Sequence, residues 1–87
     1  MTAKPYNGHP SWNAWNVSLW INNEEWLYRA AYGLASRAPW QSARNKAALW
    51  RDVARHFIAD YGLTRTPDGA RYSVASVAPV LRELAEG

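Results

Sequence analysis

The sequence predicts an all-α fold: a small single-domain bundle of three to four helices over residues 1–87, with a short irregular loop or hairpin near 63–72. Three observations predict it. Apolar residues recur at three- and four-residue spacing in separate segments, Ser or Asn stands where those segments begin, and Pro or Gly stands where they end. No repeat, linker or low-complexity run divides the chain, and its length suits one domain. Chains this short bury only about 60–65% of their unfolded surface, so the core must be efficient. Apolar residues make up 48% of the sequence, and six Trp and five Tyr stand against one Phe. Each buried aromatic removes roughly 150–250 Å² from water, so a few of them suffice to hold the fold.

Residues 1–10, with two Pro and the pair Asn7-Gly8, carry turn chemistry. Ser11 is placed to cap a first helix running to about Asn22, with Trp12, Trp15 and Leu19 at i, i+3, i+7 on its inward face. Val17, Trp20 and Ile21 fall on other sides. This helix is apolar nearly all round, so it reads either as the centre of the fold or as an open face for a partner. Asn22 or Asn23 then caps a second helix, with Glu24 and Glu25 in a first turn whose dipole favours carboxylates. Its inward stripe is Trp26, Leu27, Ala30, Ala31 and Leu34, Glu25 pairs with Arg29 at i+4, and Tyr28 and Tyr32 stack on another side. Gly33 weakens this helix and Ala38-Pro39 ends it.

A third helix runs from about Pro39–Ser42 to Tyr61, where Ala47, Trp50, Val53, Ala54, Phe57, Ile58 and Tyr61 share one arc at about 100° per residue. Gly62 supplies its stop. Thr64 to Tyr72, around Thr66-Pro67-Asp68-Gly69, reads as a turn, an irregular loop or a small hairpin. Ser73 or Ser76 opens the last helix, in which Pro79 is tolerable only near the first turn, and Val77, Leu81 and Leu84 face inward.

Composition also narrows the chemistry. The absence of Cys excludes a disulfide scaffold, a thiolate zinc site and a cysteine nucleophile. His9 and His56 belong to no Ser–His–Asp spacing, and no glycine-rich phosphate loop is present. Glu24 and Glu25 are adjacent, so on a helix they point about 100° apart, and their place in a first turn accounts for them. The expectation is a protein that is not an enzyme, with no catalytic residue, metal or cofactor. The start Met1-Thr-Ala-Lys-Pro5 has no apolar signal region, and no apolar run approaches ~18 residues, so the expected location is cytoplasmic, without a membrane partner.

Two constellations remain as binding candidates. Arg44, Arg51 and Arg55 stand at i, i+7, i+11 of the third helix, within about 40° of one another, in a chain with a net charge of +3. Such a stripe suits a phosphate backbone or an acidic protein surface, whereas Asp52 and Asp60 on the same helix favour an ordinary solvated face. The aromatics are the other: Trp12, Trp15 and Trp26 fit core positions, while Trp20, Trp40, Tyr28, Tyr32 and Tyr72 are harder to place inward. Trp, Tyr and Arg dominate binding hot spots. Trp20, with Tyr28 or Tyr32, is therefore expected either in a second packing layer or on a surface for a partner or a second copy of the chain. Asn16, a polar residue within the Trp12/Trp15/Leu19 face, is expected to satisfy buried backbone groups, for instance by tying down the N-terminal turn.

Tyr6-Asn7-Gly8, Trp12, and Trp15-Asn16-Val17-x-Leu19-Trp20-Ile21-x-Asn23-Glu24 together resemble a segment of small phage and mobile-element proteins whose roles are largely unassigned. Tyr61-Gly62 and Thr66-Pro67-Asp68-Gly69 are similar to that group as well. The resemblance implies an accessory protein made in a bacterial host cell. Small proteins of that context commonly block a host machine, so the leading expectation is an inhibitor of a host protein or nucleoprotein complex. Its most concrete form is anti-CRISPR activity against an effector complex. The alternative is a small basic nucleic-acid-binding or regulatory module. Both readings use Arg44, Arg51, Arg55, Trp20, Tyr28 and Tyr32 as candidate binding residues.

Overall fold

A computed structural model describes residues 8–87. Of the turn expected over residues 1–10 only positions 8–10 fall within that range, and Tyr6-Asn7 of the resembling segment lies outside it. Among the described residues four helices follow in order: α1 (Trp12–Asn23), α2 (Glu25–Arg37), α3 (Lys46–Asp60) and α4 (Val74–Glu86), with a 3-10 turn at Trp40–Ser42. The all-α bundle is what the spacing predicts.

The helix ends follow capping chemistry. Ser11 caps α1 by accepting from the Ala14 N–H, and Asn45 caps α3 by accepting from that of Ala48. Ser73 opens α4 in a reciprocal capping box with Ser76. At the end of α3, Gly62 takes a φ of 59°, and the Gly62 and Leu63 N–H groups donate to Ala59 and Ile58. This double bond pattern closes the helix and requires the left-handed backbone that glycine supplies. Two boundaries, and the place of one proline, differ from expectation. Glu24, in extended backbone, occupies the cap of α2, while Asn22 and Asn23 turn their amides back to the Ser18 and Leu19 carbonyls of α1. The third helix begins only at Lys46, because Pro39 to Ala43 are taken up by the 3-10 turn. Pro39 lacks the N–H that a helix running through it would need. Pro79 sits in the second turn of α4, where both it and Ala75, whose carbonyl it cannot bond, face solvent.

The core is one cluster, and α4 is its hub. This helix packs against each of the other three, whereas α1 and α3 make no close backbone approach. Val77, Val80 and Leu81 of α4 meet Val17 and Ile21 of α1, Leu27, Ala31 and Ala35 of α2, and Trp50, Ala54 and Phe57 of α3 within that cluster. The buried Trp50 also donates its indole N–H to Glu86 at 3.3 Å, pinning α3 to the far end of α4.

The inward face of α1 differs from expectation. The residues that enter the core are Ala14, Val17 and Ile21, while Trp12, at 40% exposure, and Leu19 face solvent and Trp15 is half-buried. Three triplets on this helix share i, i+3, i+7 spacing: 12/15/19, 13/16/20 and 14/17/21. Periodicity alone does not choose among them. The smaller triplet turns inward, and its Val17 and Ile21 join the core cluster with Val77, Val80 and Leu81 of α4.

The middle triplet holds the hairpin. Thr66 to Gly69 form a tight turn with Gly69 at φ 95°, closed by Gly69 N–H to Thr66 at 2.8 Å and Thr66 N–H to Ala70 at 2.7 Å. One isolated antiparallel bridge, Arg65 to Arg71, extends it. Asn13 meets both backbone groups of Arg71, at 2.8 and 2.7 Å, as a neighbouring strand would. Asn16, 1% exposed, accepts from the Thr66 hydroxyl at 2.6 Å and donates to Asp68 at 2.9 Å. Trp20 donates its indole N–H to the same Asp68 oxygen at 2.9 Å. Asn16 therefore ties down the hairpin through side chains, and not the N-terminal turn as expected.

Thr66→Val tests this clasp. It keeps the shape of the side chain but strips a partner from both Asn16 Oδ1 and the buried Ala70 N–H, which Thr66 also accepts. Urea denaturation should show a loss of about 1–3 kcal/mol. An unchanged midpoint would remove the clasp from the account of the fold.

Candidate interaction surface

A shallow groove of about 270 Å³ lies where the corner between α1 and α2 meets the end of α3 and the hairpin. Its walls include Trp20, Trp26, Leu63, Pro67 and Tyr72, with Glu24 and Arg65 among its polar residues. Local structure explains the gathering. Glu24 breaks the helical path in extended backbone, its N–H bonded to Trp20 and its carbonyl to the Tyr28 N–H, so Trp20 and Trp26 reach the same groove from successive helices. Tyr61 is the C-cap of α3, and its ring packs on the buried Phe57 at 5.4 Å and against Trp26 at 5.9 Å.

Trp26 and Tyr61 are nonetheless about half exposed, at 51% and 48%. Both were expected inward. Trp26 stands in the first turn of α2 and Tyr61 just past the end of α3, so each overhangs the core at a helix terminus where no neighbouring helix covers it. Their place at the ends of apolar stripes, against Asn-rich and Gly-containing junctions, was the available signal.

Charges of both signs border the groove. The Glu24 carboxylate makes no capping bond and, among the described residues, no ion pair. Arg65 donates to the Gly69 carbonyl of its own hairpin at 2.9 Å and, among the described residues, likewise makes no ion pair. Asp68 is kept below the ordinary carboxylate range by the Asn16 amide first and the Trp20 indole second. Burial, and then the charge of Glu24, push the Tyr72 hydroxyl above the usual tyrosine range.

The expected site residues fall in separate places. Trp20 is half-buried in the groove, its N–H committed to Asp68. Tyr28 and Tyr32 do stack, with centroids 6.1 Å apart, but Tyr28 points about 160° away from Trp26 around α2. Tyr32 instead borders a hollow of about 470 Å³ with Trp40, Gln41 and Ala85, where Lys46 lies over the Trp40 ring. The arginine stripe does not form as expected. Arg44 precedes the Asn45 cap and so has no place in the helical phase, Arg55 pairs with Asp52 at 2.7 Å, and Arg51 stands exposed beside Ala78, Pro79 and Arg82. His56 faces the Asp52 carbonyl at 2.9 Å, and His9 borders a hollow of about 410 Å³ between α1 and α4. Among the described residues no three His, Asp or Glu side chains converge as metal ligands would, and no helix is long and apolar enough to cross a membrane.

A model for a family of unknown function (DUF7249) matches residues 2–85. The chain belongs to that family. The match takes in α1 to α3, the hairpin and α4 as far as Ala85, so the clasp and the groove both lie within the family's span. No curated protein and no solved structure matches the chain.

The titration of Asp68 gives a direct readout of one edge of the groove. Its pKa is lowered in the fold, so its contribution to stability is present above the ordinary value of 3.8 and is lost as pH falls through the lowered one. Unfolding midpoints measured from pH 6 downward should fall more steeply in the wild type than in Asp68→Asn. Parallel curves would show that Trp20 and Asn16 do not hold this carboxylate.

Proposed function

We propose that the chain is a stoichiometric binding protein, an accessory factor of a phage or mobile element that attaches to a host protein complex and inhibits it. A CRISPR effector is the most concrete target. The observation that carries the reading is a pair of large rings, Trp26 and Tyr61, half exposed yet anchored on the core through Phe57. Rings held in this way lose little side-chain freedom on association, which is how a small surface gains useful affinity. The resemblance of residues 6–28 to phage and mobile-element proteins supports the context. The stacked Tyr28 and Tyr32 offer a second aromatic face to the same or another subunit. Nucleic-acid binding is less well supported, since Arg55 is paired and Arg44 lies off the helix.

The test is capture from a bacterial host lysate, with and without nuclease, using the wild type and the double variant Trp26→Ala, Tyr61→Ala. Both rings are half exposed, so the variant is expected to keep its circular dichroism spectrum. A defined host complex should be retained by the wild type after nuclease and weakened by ~2 kcal/mol or more in the variant. Recovery of nothing, together with salt-sensitive binding to duplex or single-stranded DNA, would replace this reading by the nucleic-acid one.

A further inference from the structure

We infer that the hollow between the Trp40 turn and the end of α4 is a binding site for an unpaired nucleotide of a single-stranded nucleic acid. The inference goes beyond the binding role proposed above, since it concerns a different face and needs no host protein. Charge is the first observation. The chain's net charge of +3 is not spread evenly along it. Residues 26–51 hold five Lys and Arg and no Asp or Glu, whereas the remainder, with five cations and seven carboxylates, is net negative. The hollow, of about 470 Å³, lies within that basic stretch. Ala38 to Ser42 line it without a break, preceded by Arg37 and followed by Arg44 and Lys46. None of these three cations joins an ion pair among the described residues. The proline and 3-10 turn that keep Arg44 off α3 therefore set it two residues from this lining.

Among the described residues no carboxylate lines the hollow. Its α4 wall is Leu84 and Ala85, and the carboxylates beside them in sequence are turned elsewhere. Glu83 borders the separate hollow between α1 and α4, and Glu86 is held by Trp50 and Arg82. The rings are the second observation. Lys46 stands over Trp40, 5.4 Å from the ring centre, so a cation and an aromatic face share one place. Tyr32, 50% exposed, borders the same hollow and stacks on Tyr28 with centroids 6.1 Å apart. A base laid on Tyr32 would continue that stack, and Ser36 and Gln41 bring polar groups for its edge. Bases stack on Tyr and Trp whatever their sequence, while Lys and Arg take the phosphates. An acidic peptide would meet the cations and leave the rings uncovered, and a neutral sugar would do the reverse. In a duplex the base faces are already covered, so an unpaired nucleotide is the ligand that satisfies both.

The probe is a fluorescein-labelled oligothymidylate of about ten nucleotides, against an abasic strand of equal length, a duplex and an oligoglutamate. The oligothymidylate should bind at low salt, and the abasic strand roughly tenfold more weakly. Tyr32→Ala, a surface change whose fold is checked by circular dichroism, should remove that difference and leave the affinity for the abasic strand unchanged. The double variant Arg44→Gln, Lys46→Gln should weaken both strands and flatten their salt dependence by about one to two phosphate equivalents. Equal binding of oligothymidylate and abasic strand, preference for the duplex, oligoglutamate binding as tight as oligothymidylate, or a Tyr32→Ala protein that binds like the wild type would each overturn the inference. The two proposals fail separately. The double variant Trp26→Ala, Tyr61→Ala should bind oligothymidylate as the wild type does, whereas its host capture should weaken. Nuclease-resistant host capture without oligothymidylate binding keeps the binding role and rejects this site.

Discussion

The amide of Asn16 is the constraint on which the rest of the structure depends. It sits at the centre of α1 with almost no exposure, a place where an unpartnered polar group would cost several times what one hydrogen bond contributes. It is tolerated because Thr66 and Asp68 arrive at the right heights to meet both ends of it. Those partners lie about fifty residues away in sequence, so the bond forms only when α1 and the hairpin are correctly placed. No buried side-chain polar atom among the described residues lacks a partner, which makes the clasp a source of specificity and not of strain.

From that clasp the geometry propagates along the chain. Asn13 continues it by engaging the Arg71 backbone, which fixes the hairpin two residues before the Ser73 cap of α4. The Ser76 hydroxyl of the capping box also donates to the Arg71 carbonyl, so hairpin and helix start are hydrogen-bonded as one unit. The helix launched there touches the other three, and its far end is held by Trp50 through Glu86. The connection between α3 and α4, which itself gives Ala70 and Tyr72 to the core, thereby sets the direction of the helix that packs on all the others.

What was legible in the sequence was whatever local chemistry decides. Ser11, Ser73 and Gly62 mark their helix ends because each satisfies backbone groups within a turn of itself. The inward arc of α3 was legible too, since Trp50, Ala54 and Phe57 alternate with Arg51, Asp52 and Arg55. The face of α1 was not. Two of its triplets, 12/15/19 and 14/17/21, are wholly apolar at the same spacing, so periodicity does not choose between them. Arg44 failed for a related reason: its phase presupposed a helix that Pro39 and the 3-10 turn postpone to Lys46. The groove was the least legible feature, because it joins Glu24 and Trp26 to Pro67 and Tyr72 through a tertiary contact that no sequence period encodes.

The position of the surplus aromatics follows from size. A fold of four short helices around one cluster has room inside for Trp50, Phe57 and Tyr72, and the remaining large rings must lie at its edges. Edges differ in how firmly they hold a ring. Trp12 stands at the start of α1 with no aromatic neighbour within stacking range among the described residues, whereas Tyr61 leans on Phe57 and Trp26 leans on Tyr61. Trp20 is fixed by a hydrogen bond as well as by packing. Freezing a free side chain on association costs about 0.5–1.5 kcal/mol, and rings already ordered in the unbound protein avoid most of it. The same contacts that complete the fold at the junction of α2, α3 and the hairpin therefore leave there a surface whose shape is set before any partner arrives.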